Sequence, residues 1–159
     1  MAADGDLVAS RLERGCLCYA VWIDGAVAGF GWLSRGPEWI GELQLEIKPR
    51  EREAYIWNCV TVPEHRRRGV FRSLVVGMSA AARRLGANRV WIGSVDIPAA
   101  RALPPLGFRP ALYFTATTIA GLHLMRVSRP NDASLAAHGS EVVGVGPGLM
   151  LRASHQRRH

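Results

Sequence analysis

Between Cys16 and Val62 short apolar runs bounded by turn residues, one of them strictly alternating, carry the signal of strands, and from Arg67 the apolar spacing is that of a helix. Cys16 to Ile23 and Ala26 to Leu33 read as two strands joined by Asp24-Gly25, a two-residue hairpin signal. Ile40 to Ile47 alternates Glu42, Gln44 and Glu46 with Leu43, Leu45 and Ile47, which predicts a half-buried strand. After a polar turn at Lys48-Pro49-Arg50, Glu53 to Val62 forms the next strand, with Glu53, Tyr55, Trp57, Cys59 and Thr61 on one face. The helix from Arg67 to Leu85 sets Phe71, Leu74, Val75, Met78, Ala82 and Leu85 on one stripe. Arg83 and Arg84 in its last turn and Gly86 beyond suit a helix end. Arg89 to Val95 is a further strand, Pro98 opens a short helix that Pro104-Pro105 ends, and Arg109 to Thr118 pairs with Leu122 to Val127 across Ala120-Gly121. Leu7 to Arg14 is a short helix stopped by Gly15. The pattern predicts a single domain over residues 1–128 and a mobile extension over 129–159, in which Glu141 to Arg152 carries enough Val and Leu to add a strand.

At 159 residues such a domain can bury a real core. The formal charge of +7 invites a nucleic-acid reading, but nearly all of it is arginine, Lys48 being the only lysine. A bias of that kind follows from base composition alone, so charge by itself does not argue for a polyanionic partner. Cys16, Cys18 and Cys59 are odd in number and lack zinc spacing, which predicts a reduced, cytoplasmic protein without a metal. The first residues, Met1-Ala2-Ala3-Asp4-Gly5-Asp6, are acidic and are followed by no long apolar run, so neither a signal peptide nor a membrane span is expected.

The chemistry concentrates where the Glu53 to Val62 strand turns through Arg66-Arg67-Arg68-Gly69-Val70-Phe71-Arg72 into the long helix. A strand entering a helix through a basic, glycine-bearing loop directs unpaired backbone N–H groups and the positive end of the helix dipole at one point. Such a point suits a pyrophosphate.

Those residues carry a family resemblance. Arg66-x-x-Gly69-x-Phe71 resembles the Arg/Gln-x-x-Gly-x-Gly/Ala signature of the GNAT superfamily, the acyl-CoA-dependent N-acetyltransferases, with Phe71 where Gly or Ala is usual. Asp96-Ile97-Pro98-Ala99 through Leu106-Gly107-Phe108 is similar to the family's Asn-x-x-Ala helix that closes in Leu-Gly-Phe. The resemblance spans roughly residues 16 to 128 and implies an α/β fold of the α+β type: a mixed, mostly antiparallel sheet flanked by helices. Only about fifteen residues precede the first hairpin, where the family has a strand and two helices. The substrate side is therefore abbreviated, or a second copy in a homodimer completes it.

The same resemblance implies acetyl-CoA as co-substrate and an amine-bearing acceptor. The pantetheine would lie along Cys59, Val60 and Thr61 like an added strand, and the pyrophosphate would rest on the backbone from Arg66 and Arg67 through Arg68, Gly69, Val70, Phe71 and Arg72. Asp96 stands at the family's Asn. Glu53, directly or through a water, is the candidate base, against the alternative of a solvated surface partner for Arg50 or Arg52; Tyr55 takes the position of the usual strand carboxylate. The family's tyrosine acid is matched by Leu103, which leaves Tyr113 as a substitute donor. A catalytically weak acyl-CoA sensor or subunit, and behind it a basic nucleic-acid-binding module, are the rival readings.

Overall fold

The structure, a computed structural model, describes residues 2–94, 97–119 and 122–153. In chain order it runs through α1 (Ala2–Glu13), the hairpin strands β1 (Leu17–Ile23) and β2 (Ala26–Ser34), the short strands β3 (Glu38–Ile40) and β4 (Leu45–Ile47), and β5 (Glu53–Thr61). A 3-10 turn at Pro63–His65 leads into α2 (Val70–Arg84), followed by β6 (Arg89–Ile92), α3 (Ile97–Ala102), β7 (Tyr113–Ile119), β8 (Leu122–Ser128), α4 (Ala133–Val143) and β9 (Gly148–Ala153). The chain divides into two compact units, residues 1–37 with 49–108, and residues 38–48 with 109–159.

The first unit is built on a four-stranded sheet ordered β1-β2-β5-β6, antiparallel except for the parallel β5/β6 pair. Helix α2 packs on one face. Its buried stripe is Val70, Leu74, Val75, Met78, Ala81 and Ala82, rotated slightly from the expected one, so that Phe71 is half-buried and Leu85 exposed. These side chains meet Ala28, Leu33, Ala54 and Ile56 in the core, and burying each large one is worth about 1.5–3 kcal/mol.

The second unit holds the β3/β4 hairpin, the antiparallel β7-β8-β9 sheet and α4. Its core gathers Leu45, Met125, Val127 and Val145.

Three expectations change. Ile40 to Ile47 is not one strand: Leu43 and Gln44 donate to the carbonyls of Ile40 and Gly41, Gln44 takes φ 50, and the segment folds back as β3 and β4. A turn that begins at glycine here overrides an alternation only a few residues long. Second, residues 129–153 contain a helix and a strand where the composition suggested a mobile extension. Asp132 caps α4 by accepting from the Leu135 N–H, Gly144 ends the helix in the left-handed region, and β9 pairs with β8 from Leu122 to Val127. Third, Cys59 does not share the face of Tyr55 and Trp57, because β5 contains a bulge.

Candidate active site

The bulge follows from register. Phe30 pairs with Val60 but Trp32 with Trp57, so β5 spends one residue more than β2 over that stretch, and Asn58 absorbs it at φ 47. Alternation is reset there: Cys59 turns toward α2 and its core, whereas Trp57 stays with Tyr55 on the opposite face. Close approach is possible because β2 carries glycines at this level. A Cβ on Gly29 would lie 2.6 Å from the Val60 carbonyl oxygen and 2.7 Å from Val70 Cγ1, and one on Gly31 would lie 2.8 Å from Met78 Cε and 3.0 Å from Cys59 Sγ. The Gly29-Phe30-Gly31 triplet was the available sequence signal for this contact and went unread.

β5 and β6 pair only from Glu53/Arg89 to Ile56/Ile92. Beyond Ile56, β5 has β2 on one side and, among the described residues, no strand on the other. The backbone of Trp57, Asn58, Cys59, Val60 and Thr61 therefore presents a free strand edge. An extended ligand with amide groups can add to such an edge as a strand would.

This edge runs into the basic loop. Val62 donates to the Ala28 carbonyl at 3.0 Å, and Arg68 Nη1 lies 3.0 Å from His65 Nδ1, so His65 shapes the turn. Arg67 at φ 60 and Gly69 at φ 81 then swing the chain into α2, whose first turn has neither a side-chain cap nor an acidic residue. Helix geometry leaves the N–H groups of Val70, Phe71 and Arg72 without intrahelical acceptors. Arg66, Arg67, Arg68 and Arg72 are exposed, and none pairs with a carboxylate among the described residues. Cations at a helix N-terminus oppose the dipole, so an anion there would relieve both. Nothing lies within 4 Å of a Cβ built on Gly69, which leaves the backbone open to a ligand.

The candidate acid–base residues sit on the sheet face away from α2. Glu53 and Tyr55 are each 4% exposed. Glu53 Oε2 accepts from Trp91 Nε1 at 2.8 Å and from the Arg50 N–H at 3.1 Å, while Arg89 Nε stands 3.8 Å from Oε1. This carboxylate thus ties the start of β5 to β6 and to the preceding turn. The Tyr55 hydroxyl lies 3.2 Å from where a Cβ on Gly93 would be, at the end of β6 where the strands part. Trp57 stacks on Tyr55 at 5.8 Å and meets Trp32 at 6.1 Å, and the Arg11 guanidinium of α1 covers both indoles. Neither Arg11 nor Trp91 was singled out from the sequence. Only the fold brings them to β5.

Leu103 is buried at the end of α3. Tyr113 belongs to the second unit and is 53% exposed, lining a depression of about 420 Å³ with Arg109 and Arg129. Asp96 falls outside the described residues. Burial pushes the Cys59 thiol from its ordinary 9.0 up to about 11, so it is not a ready nucleophile. Among the described residues no three His, Cys, Asp or Glu side chains form a metal-binding group, and no helix is long and apolar enough to cross a membrane.

Comparison with known proteins bears on this geometry. A model of the acetyltransferase (GNAT) family matches residues 3–108. Among solved structures, a Trypanosoma brucei acetyltransferase superposes with a TM-score of 0.55 at 17% identity, over 72% of this chain and 77% of its own. AAC(6')-Iy in complex with the bisubstrate analog CoA-S-monomethyl-acetylneamine superposes with a TM-score of 0.52 at 17% identity, over 67% of this chain and 74% of its own. Comparison with curated protein sequences finds none that matches.

Proposed function

We propose, because this chain belongs to the acetyltransferase (GNAT) family, that it transfers an acetyl group from acetyl-CoA to a primary amine of an acceptor. The observation that carries the reading is the continuity of the free β5 edge with the open N-terminus of α2. Pantetheine amides would pair with Cys59, Val60 and Thr61, and the Val60 N–H would meet the thioester oxygen. The pyrophosphate would be held by the backbone from Arg66 to Arg72, with arginine side chains adding charge. Held there, the carbonyl carbon is attacked by the neutral amine; the C–N bond forms, the C–S bond breaks, and CoA departs as a thiolate.

A thiolate whose free pKa is roughly 8.5 leaves without obligatory protonation, which suits Leu103 in place of a tyrosine. The position of the Tyr55 hydroxyl where β5 and β6 part supports Tyr55 as the group that orders the water receiving the amine proton. Glu53, held by Trp91 and Arg50, would act behind it through its charge. A homodimer belongs to the same proposal, supported by Leu7, Val8 and Leu12 of α1, which stay 43–53% exposed. A monomer in sedimentation equilibrium at micromolar concentration would contradict it.

The test is a thermal shift with acetyl-CoA, which should raise Tm through linkage between binding and folding. Gly69→Val should remove most of that rise, since a β-branched residue is strained at φ 81 and crowds the approach to the loop. An equal rise in wild type and variant would locate the phosphate site elsewhere. Buried Leu103 and the tethered Glu53 favour one second reading, an acyl-CoA sensor. Tight acetyl-CoA binding with no acetyl transfer to any amine in a broad panel would select it.

A further inference from the structure

The sheet face opposite α2 carries an aromatic cluster of which acyl transfer, as proposed above, uses only the Tyr55 hydroxyl. Register sets Cys18, Trp32 and Trp57 side by side across β1, β2 and β5. Trp57 and Tyr55 are stacked with 4° between their planes, and Trp32 is tilted 37° against Trp57. Arg11 lies on this surface, its guanidinium carbon 5.0 Å from the Trp32 ring centre and 5.8 Å from that of Trp57. Among the described residues Arg11 has no carboxylate partner and its side chain donates to no acceptor. Indole faces attract a cation through the ring quadrupole, but they satisfy none of the guanidinium's five N–H donors. With Arg11 in place Trp32 and Tyr55 are only 2% and 4% exposed, and the charge of Arg11 also reaches the Cys18 thiol, so the rings become open to another cation only when Arg11 leaves them.

We propose that Trp32, Trp57 and Tyr55 form a subsite for a cationic group of the acceptor, a guanidinium or ammonium, and that Arg11 occupies this subsite until the acceptor displaces it. Trp57 directly precedes the Asn58 bulge and the free β5 edge, so a cation held there is anchored beside the place of acyl transfer. The attacking amine must be neutral, so the anchored cation is a second nitrogen. The acceptor class is accordingly a molecule with two basic nitrogens, a diamine or a guanidino-amine. Its role as an acceptor rests on the acetyl-transfer reading, whereas the binding step does not.

Because Arg11 competes for the subsite, the apparent affinity for a cation is lowered by the fraction of molecules in which Arg11 is bound. Tryptophan fluorescence titration with agmatine, and with butylurea as an uncharged ureido analogue that lacks both cations, on full-length protein without CoA tests this. Arg11→Met, which keeps an apolar stem over the rings, should bind agmatine about tenfold more tightly than wild type, as expected when a resident competitor held in most molecules is removed. The ureido analogue should gain nothing, and adding Trp57→Leu should abolish the agmatine gain. Should Arg11→Met not fold, Arg11→Lys, a compact cation without the planar stack, should show a smaller gain of the same sign. Equal agmatine affinity with and without Arg11, or an equal gain for the ureido compound, overturns the proposal. An acetyl-CoA thermal shift on the same samples separates the two claims: a preserved shift without an agmatine gain overturns the subsite alone. An agmatine gain without a shift supports the subsite and counts against acetyl transfer.

Discussion

Glu53 is the residue whose part in the site the sequence left most open, since a glutamate at a strand start suits a solvated partner more readily than a base. Its 4% exposure, its two donors and the Arg89 ion pair come from β6 and the preceding turn, which no local pattern encodes. Glu53→Ala removes the carboxylate acceptor from the part-buried Trp91 and Arg50 N–H groups and should cost up to about 1–3 kcal/mol in all, which denaturant unfolding reads. Glu53→Gln keeps an acceptor and should cost less than half as much; equal losses would mean that charge rather than hydrogen bonding holds the junction. Cys59 gives a pH signature. Its thiol keeps its proton up to about 11 in the fold but loses it near 9.0 when unfolded, so between those values the folded state binds more protons. Stability from this group is complete below pH 9 and falls as pH rises through the window. Unfolding midpoints of wild type and Cys59→Ser should therefore converge between about pH 9 and pH 11. Parallel curves would mean that Cys59 is as accessible to water as an unfolded thiol.

At the scale of elements, the pattern alone located β1, β2, β5, α2, β6 and the β7/β8 hairpin to within a few residues, because each is long or bounded by turn residues. It failed where tertiary contacts decide. The β3/β4 turn hides inside an apparent alternation, and α4 hides in small residues although Asp132 and Gly144 mark its ends. The bulge at Asn58 shifts the faces of half of β5, and its causes lie on another strand. The basic loop was readable because its chemistry is local, whereas the aromatic face needed three strands and α1 to assemble. Gly29 is the sharpest test of the bulge. Gly29→Ala would put a methyl 2.6 Å from the Val60 carbonyl oxygen, a backbone atom that cannot move aside cheaply. Overpacking of this kind costs about 1–3 kcal/mol, and the displaced β5 edge should weaken acetyl-CoA binding beyond what instability explains. An unchanged Kd in folded Gly29→Ala would detach the cofactor from β5.

For the whole molecule, charge and cofactor make opposite demands on the same arginines. The formal +7 would let any basic surface hold DNA weakly. A pyrophosphate site built from backbone should lose little CoA affinity on Arg67→Ala, while a nucleic-acid surface should lose affinity and salt slope with every arginine removed. Titration calorimetry of CoA and of a short duplex at two salt concentrations distinguishes them, and tight duplex binding with no CoA heat would remove the acetyltransferase reading. The central claim is that one ligand engages the β5 edge and the N-terminus of α2 together. Amide hydrogen exchange, followed segment by segment with and without acetyl-CoA, measures this most directly. Protection should appear at residues 57–61 and 66–72 together and be strongest in the first turn of α2, where the N–H groups otherwise lack acceptors. Protection confined to other segments, or at only one of these two, would contradict the account.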